Sequence, residues 1–414
     1  MMTTNNFIRQ FLNIVGLAIS NFYLDQRNKE LKLYVKPHKN GCRCPQCNQR
    51  GKIVRTMDVR SWRDIVVCGF RVIFFYAPRV IECKTHGYVQ EDIPWADPYA
   101  KATHRLEYQI LIYCQMMTQT SAAKLLRLAT STLSDLLHRV INRVREGHKI
   151  EDIKSIGIDE VSYAKGRKYI TVIYDLEKSR VVWVGKGKGR DTVDNFFNNE
   201  LTDAQKKKIK WASCDMYQTY IDAIEEHCPN VTVVLDRFHV AKALNEALDK
   251  VRKEEWENID GKNRKSLKGI RWLLFKNASK RTEKETDLIN SLRKSNRRIH
   301  RAWVLKDEFN LVWDFSTVEE AQNFLKRWTT TALKSRLEPI RKFVRTVRKH
   351  TERIVSFVGS GLSNAKAEGI NRIIKIIKNR ASGFRSLNAF IDMIYLTIGD
   401  LDIAEQIPVE YRIC

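Results

Sequence analysis

The sequence predicts a multidomain protein of mixed α+β and α/β class, and three features of the chain support this prediction. Short strand-like runs with cysteines among them fill residues 1–100. The apolar spacing changes to that of helices over 102–145, and strands then alternate with helices over 153–240. From about 240 to 358 nearly every residue fits a helical pattern. A chain of 414 residues has room for the two or three domains that these changes imply.

The charge of the chain indicates its class of partner. Lysine and arginine number 73 against 48 acidic residues, which gives a net charge of +25 at pH 7. A hydrophobic content of 43% supplies cores and excludes a disordered basic tail. Nucleic acid is the expected partner, because cationic side chains that neutralise phosphates supply most non-specific affinity. A membrane surface is the weaker alternative, and a soluble protein that is basic without a polyanionic partner is another.

The compartment follows from what the sequence lacks and from its cysteines. No uncharged apolar run approaches the roughly 18 residues of a membrane span. The start of the chain has neither a basic region nor a small-residue cleavage site, so no secretory signal is expected. Nine cysteines form an odd set, and some have the spacing of metal ligands. These features favour a reducing cytoplasm.

Two short motifs near the N-terminus predict a structural zinc site. Cys44 and Cys47 flank a tight turn, and Cys83 and His86 repeat the spacing, with 35 residues between Cys47 and Cys83. Cys42 is a substitute ligand, and unrelated thiols are the alternative. The absence of a nearby glutamate base favours a structural site over a catalytic one. The remaining cysteines are expected to be ordinary thiols: Cys68, Cys114, Cys214, Cys228 and Cys414.

Three short helices between 102 and 145 predict a helix-turn-helix. Thr118, Thr120 or Ser121 can cap the second helix, and Thr130 or Ser131 the third. The third would be the recognition helix, entering the major groove by its N-terminal residues. We therefore predict DNA contacts from Ser131 and Arg139. A helical linker without a DNA-binding role is the alternative.

Three aspartates predict the chemistry. Asp159, Asp215 and Asp236 each close an apolar strand between 153 and 240. A single aspartate there is usually a turn former, but three in one α/β unit favour a Mg²⁺ site at the edge of a sheet. The predicted order of three strands, helix, strand, helix, strand resembles an RNase H-type fold, in which the fourth strand lies beside the first. Adjacent strands lie about 4.8 Å apart, which favours Asp215 over the more distant Asp236 as the partner of Asp159.

Longer motifs make the resemblance specific. They are GIDEVSYAKGRKYITVIYDLEKSRVVWVGKGKGRD, SCDMYQTYIDAI, VVLDRFHVAKALNEALDKVR, IRWLLFKN and SNAKAEGINRIIKIIKNRASGF. With these motifs, the chain from about 154 to 395 resembles the ISL3 family of bacterial insertion-sequence DDE transposases, and the zinc-finger motif and helix-turn-helix extend the likeness over most of the chain.

The resemblance implies the roles of individual residues. The catalytic triad maps to Asp159, Asp215 and Glu368, which would hold two Mg²⁺ or Mn²⁺ ions. The finger ligands map to Cys44, Cys47, Cys83 and His86, which would hold structural Zn²⁺. Asp236, Arg237 and His239 match a further motif, for which a structural or supporting role at the site is expected. The implied partners are double-stranded DNA, both inverted-repeat ends and target, and further copies of the chain in a dimer or larger assembly. No membrane partner is expected, and the implied location is the bacterial cytoplasm, at the nucleoid.

These inferences give a full domain prediction. The fold class is an N-terminal zinc finger, a helix-turn-helix and an RNase H-like catalytic domain with a large all-helical insertion. The predicted bounds are 1–100 for the finger, 101–150 for the helix-turn-helix, 151–240 for the first part of the catalytic core, 241–360 for the insertion and 361–414 for the completion of the core.

The last helix contains the third carboxylate. Its isoleucines form an apolar stripe, and Glu368 lies on the other side of the helix with Asn371, Arg372 and Lys375. A solvated charged face would have the same pattern. With the family resemblance, we expect Glu368 to face the metal site and predict that Asn371, Arg372 and Lys375 contact DNA.

The stretch between Asp215 and Glu368 is longer than the bare fold needs. It holds a surplus of 13 basic over acidic residues between 251 and 360, together with five of the nine tryptophans. We interpret it as a DNA-clamping insertion. For each tryptophan core packing is the expected role, and stacking on bases is the alternative.

The hypothesis is therefore transposition. Metal-assisted hydrolysis would free a 3′-hydroxyl at an element end, and the same site would direct that hydroxyl at target DNA. Two rivals remain: a nuclease of the same fold without strand transfer, and a non-catalytic regulator that binds DNA through finger and helix-turn-helix.

Overall fold

The computed structural model describes residues 3–14, 17–37, 42–164, 166, 168–259, 267–360, 364–399 and 401. The chain divides into two compact units, residues 1–149 with 374–414 and residues 150–373. Residues 374–414, predicted as part of the catalytic core, thus group with the first unit. Cys414 and the turn signal at Asn40 and Gly41 lie outside the described residues. None of the described helices combines the length and apolar composition that crossing a bilayer requires.

The first unit contains two sheets. After helix α1 (Thr4–Phe11) come the strands of both sheets: β1 (Leu17–Asp25), β2 (Glu30–Pro37), β3 (Lys52–Thr56), β4 (Arg60–Val67), β5 (Phe70–Tyr76), β6 (Arg79–Cys83) and β7 (Gly87–Gln90). The larger sheet has the order β1-β2-β5-β4, and the smaller one has the order β3-β6-β7. The apolar run 71–83 is divided between the two sheets at Pro78, which has no backbone N–H to donate to a ladder.

The helical part of the first unit matches the sequence prediction. Its helices are α2 (His104–Met116), α3 (Gln119–Leu125) and α4 (Thr130–Gly147). The Thr118 hydroxyl caps α3, accepting from the Ser121 amide at 3.1 Å, as predicted. Helix α4 begins one residue earlier than predicted, because Arg127 at φ 51° turns the chain so that Ala129 becomes the N-cap, without a side-chain cap bond. Helix α16 (Leu387–Ile398) packs against α2 and α4.

The second unit is built on one mixed sheet. Its strands are β8 (Ser155–Ala164), β9 (Lys168–Asp175), β10 (Arg180–Lys186), β11 (Trp211–Cys214) and β12 (Thr232–Leu235). The order is β10-β9-β8-β11-β12, with β8, β11 and β12 parallel. The prediction that the fourth strand of this unit lies beside the first is confirmed. Helices α5 (Arg190–Asn199), α6 (Asp203–Lys208) and α7 (Gln218–His227) connect the later strands.

The rest of the second unit is helical, as predicted. The helices are α8 (Arg237–Asn258), α9 (Ile270–Phe275), α10 (Glu283–Ser295), α11 (Arg297–Asn310), α12 (Val318–Lys334), α13 (Glu338–Lys349), α14 (Thr351–Ser360) and α15 (Asn364–Arg380), with 3₁₀ turns at 278–280 and 311–314. Helix α15 belongs to this unit up to residue 373. Trp303, Trp313 and Trp328 are buried, and the Trp328 ring lies 4.8 Å from that of Phe309. Core packing is therefore confirmed for these three tryptophans.

Candidate active site

The three aspartates come level with one another at the edge of the second sheet where β11 and β12 end. The prediction that Asp159 closes its strand is wrong, because β8 continues to Ala164 through its pairing with β9. Ser213 pairs with Gly157 across the parallel strands β11 and β8, and continuing that register by two residues aligns Asp215 with Asp159. Cys214 pairs with Leu235 across β11 and β12, so the next residues, Asp215 and Asp236, are also aligned. Asp215 and Asp236 directly follow the last residues of β11 and β12, and this places them level with Asp159 in the middle of β8. Asp215 occupies the middle position.

Helix α15 reaches this edge through an asparagine. The Asn371 Nδ2 group donates to Asp159 Oδ2 at 2.5 Å. The other amide atom, Oδ1, is buried and has no hydrogen-bond partner. The Asn371 side chain, predicted to contact DNA, thus bonds to Asp159, and its contact with DNA stays a prediction. A long-range side-chain bond of this kind has no signal in local sequence spacing.

A tyrosine and a glycine shape the floor of the site. Tyr174 on β9 pairs with Gly157 on β8, and a Cβ atom at Gly157 would lie 2.0 Å from the tyrosine ring. Only glycine therefore allows the ring to lie across β8 next to Asp159. Tyr174 is 3% exposed, and burial together with the Asp159 charge raises its pKa far above the usual value. Its hydroxyl therefore remains protonated beside the carboxylate. Sequence analysis did not identify either residue as part of the site.

The carboxyl groups of Asp159 and Asp236 both have raised pKa values. Burial raises the pKa of Asp159, and the Asp236 charge adds to this, against the lowering effects of the Glu160 amide, His239 and Asn371. Burial likewise raises the pKa of Asp236, and the Asp215 charge adds to it. A cation at this edge would favour the ionised forms of both carboxylates. The electrostatics therefore suit a positively charged ligand.

His239 lies between two of the aspartates. Its Nε2 atom is 4.0 Å from Asp159 Oδ1 and 3.9 Å from Asp236 Oδ2. Asp236 also caps α8, because its Oδ1 accepts from the Phe238 amide at 2.8 Å. Asp215 Oδ1 accepts from the Tyr217 amide at 2.9 Å. These contacts fit the supporting role predicted for Asp236 and His239.

Glu368 lies on the helix that contacts Asp159. It is exposed and precedes Asn371 by three residues, so the two side chains share one side of α15. Arg372 and Lys375 are also exposed. Within the described ranges, the carboxylates of Asp159, Asp215 and Glu368 do not form a group whose ligand oxygens all lie within 4.8 Å of one another.

The four predicted zinc ligands come together in the first unit. One ligand atom from each of Cys44, Cys47, Cys83 and His86 lies within 4.8 Å of all the others, and Cys42 is not in this group. Backbone amides of Thr85 and then His86 lower the pKa of the Cys83 thiol to about 6, which favours the thiolate that zinc requires. Three soft sulfur donors and one imidazole are a set typical of structural zinc.

The recognition helix candidate has an exposed start and an anchored middle. Ser131 and Thr132 at the start of α4 are exposed, in keeping with the predicted DNA contact of Ser131. Arg139 donates through Nη2 to the buried carboxylate of Glu107 on α2. The guanidinium thus holds two helices together, and the DNA contact predicted for Arg139 remains untested.

Comparison with known proteins supplies the family. A family model described as "Transposase" matches residues 156–394, which is more than half of the chain. The chain belongs to the ISL3 family of insertion-sequence transposases. A second family model, the helix-turn-helix domain of transposase family ISL3, matches residues 91–141 of this transposase and confirms the predicted motif.

Curated relatives agree with the family match. The transposase for insertion sequence element IS1001 of Bordetella parapertussis is 29% identical over 367 residues, covering 87% of this transposase and 90% of the relative. The transposase for IS1557 of Mycobacterium tuberculosis is 28% identical over 383 residues, covering 86% and 85%. The solved Drosophila P element transposase strand transfer complex covers 74% of this transposase and 94% of its own chain, with 10% identity and a TM-score of 0.39. A TM-score of that size supports no conclusion about fold.

Proposed function

We propose that this transposase binds the terminal inverted repeats of its insertion sequence and cleaves and joins DNA with the carboxylates of Asp159, Asp215 and Glu368. One observation supports this most directly. Asp159 and Asp215 come level on the parallel strands β8 and β11, and Asn371, on the Glu368 side of α15, bonds to Asp159. These contacts support a common site for three carboxylates that are distant in sequence.

The donor set fits Mg²⁺ or Mn²⁺. All the donors are oxygens, two nearby carboxylates have raised pKa values through burial, and Asn371 Oδ1 is a buried acceptor without a partner. Asp159, Asp215 and Glu368 would hold two ions, and ligands shared between two ions need not converge on one point. When bound, such ions activate the attacking oxygen and stabilise the charge on the leaving oxygen of a phosphodiester.

The chain's own residues orient the reaction. Asn371 and the Glu160 amide, which donates to Asp159 Oδ1 at 2.7 Å, fix the Asp159 carboxylate. His239 lies between Asp159 and Asp236 and limits their repulsion when it is protonated. The exposed Arg372 and Lys375 on α15 are suited to contact the DNA backbone near the reacting phosphate.

DNA recognition would belong to the first unit. The exposed start of α4, with Ser131, would enter the major groove, and the Cys44, Cys47, Cys83 and His86 site would hold structural Zn²⁺. The second unit would be an RNase H-like catalytic core interrupted by an all-helical insertion that clamps DNA. The enzyme would act as a dimer or larger assembly in the bacterial cytoplasm, at the nucleoid.

The test uses an isosteric variant. Asp159→Asn keeps the side-chain shape and should abolish cleavage of labelled end DNA in Mg²⁺ or Mn²⁺, while the same DNA is still retarded in a gel. Retained cutting by the pure variant would refute the assignment. Joining of pre-cut ends to target DNA by the wild type separates a transposase from a nuclease of the same fold. Absence of any cleavage by the wild type at every Mg²⁺ and Mn²⁺ concentration would favour a non-catalytic regulator.

A further inference from the structure

One tryptophan of the helical region is placed unlike the others. Trp272 on α9 is 72% exposed. All nine tryptophans lie in the described ranges, and the other eight are buried or half-buried. Full burial of a large apolar side chain stabilises a fold by roughly 1.5–3 kcal/mol, and Trp272 contributes little of this. A single exposed apolar residue is not by itself a binding site, so the groups around the ring decide its role.

The exposed ring is held in place from one side. The Arg271 guanidinium lies 5.1 Å from the Trp272 ring and 5.4 Å from the Phe275 ring, and the two rings meet edge to face at 6.2 Å. Arg271 Nε is in turn 3.4 Å from Asp249 Oδ1. The indole is therefore supported by a cation that is itself anchored to α8. The indole therefore presents a flat apolar surface to solvent, and its side-chain rotation is restricted.

The surroundings of the ring are cationic. Asp249, 6% exposed, is contacted by Arg252 at 2.8 Å and Lys253 at 3.5 Å as well as by Arg271. Three cations thus surround one carboxylate, which leaves a local surplus of positive charge. Glu254 and Glu255 share a single cation, Arg298, which reduces the surplus but leaves these side chains with a net charge of +1. This positive charge favours an anionic partner over an uncharged apolar one.

We propose that Trp272 stacks on an unpaired nucleobase of DNA, with Arg252, Lys253 and Arg271 contacting the adjoining phosphates. The proposal rests on the proposed function for the identity of the polymer. A flat ring with cations beside it matches the alternation of base and phosphate along a single strand. The base must be unpaired, because the faces of paired bases are covered by their neighbours in the duplex. Strands that are cut and transferred expose such bases.

The experiment compares two strands that differ only in their bases. Fluorescence anisotropy measures binding of the full-length protein to an oligothymidylate and to an abasic strand of the same length. No Mg²⁺ or Mn²⁺ is added, so that DNA is not cleaved, and no chelator is added, so that bound zinc is retained. Wild type should prefer the strand with bases. Trp272→Ala should lose roughly five- to hundredfold of its affinity for that strand, with little change for the abasic strand. Trp272→Tyr should recover part of the loss.

Matched variants decide between outcomes. Leu288→Ala removes another exposed apolar side chain of the helical region and should bind as wild type does. An equal loss on both strands by Trp272→Ala, or no loss at all, would overturn the proposal. So would an unchanged preference for bases accompanied by a change in oligomeric state on light scattering, which would assign the ring to a protein interface. No cleavage is involved, so failure of the Asp159→Asn test leaves this comparison readable.

Discussion

The Asn371 amide donates to the Asp159 carboxylate at 2.5 Å, although the two residues are 212 positions apart in the chain. The bond joins β8, the first strand of the second unit's sheet, to the helix that bears Glu368. It therefore ties the placement of the third carboxylate to that of the first. It also leaves the Asn371 carbonyl oxygen buried and free of protein donors.

Loss of this bond should slow the chemistry. In Asn371→Ala, Asp159 loses a donor and α15 loses its contact with β8, so we expect cleavage to fall roughly ten- to hundredfold, the usual cost of removing a group that orients a ligand. Single-turnover cleavage of labelled end DNA measures the effect. Asn379→Ala, an exposed asparagine of the same helix, is the control. Equal rates for Asn371→Ala and wild type would show that the bond does not position the site.

The two later aspartates should differ in their effects. Asp215→Asn should abolish cleavage, since the carboxylate of Asp215 is proposed to bind metal. Asp215 follows β11, which lies between β8 and β12. Asp236→Asn should keep a measurable rate, because asparagine can also cap α8 at the Phe238 amide. Parallel cleavage assays of the two variants decide the matter. The reverse order of activities would move the ligand role to Asp236.

Much of this arrangement could be predicted from the sequence. The strands of the second unit and the three helices of the DNA-binding motif follow from apolar spacing. The strand order, and with it the alignment of Asp159 and Asp215, follows from the resemblance to an RNase H-type fold. The partners of Asn371 and Tyr174 do not, because contacts between side chains on separate elements leave local periodicity unchanged. The exposure of Trp272 was equally hidden, since helical spacing alone cannot distinguish a core tryptophan from one at the surface.

The glutamate beneath the helix-turn-helix predicts a pH dependence. Burial would raise the pKa of Glu107, but the His104 hydrogen bond and then the Arg143 and Arg139 charges lower it to about 2. A carboxyl with a depressed pKa stabilises the fold above its ordinary pKa of 4.5 and loses that contribution as the pH falls towards 2.

The variant Glu107→Gln measures this contribution. At neutral pH it should unfold more easily by about 3 kcal/mol, because two arginines lose a buried partner. The deficit relative to wild type should narrow as the pH is lowered from 4.5 towards 2. Thermal melts across this range, with the exposed Glu146→Gln as control, supply the comparison. A deficit that does not change with pH would assign the loss to packing.

Zinc content should depend on four side chains and not on a fifth. Elemental analysis should find one zinc per chain in the wild type and in Cys42→Ser, because Cys42 lies outside the ligand group. Cys47→Ser should lose the metal, and the melting temperature should fall because metal binding contributes to folding. Cys68→Ser, an exposed thiol elsewhere, is the matched control. Loss of zinc in Cys42→Ser would place that thiol among the ligands.

The most direct test of the triad is single-turnover cleavage by Glu368→Gln beside Glu352→Gln, since both replace an exposed helical glutamate of the second unit. We predict that Glu368→Gln binds end DNA normally and cleaves about a hundredfold more slowly or not at all, while Glu352→Gln cleaves as the wild type does. Cleavage at the wild-type rate by Glu368→Gln would contradict a three-carboxylate catalytic site.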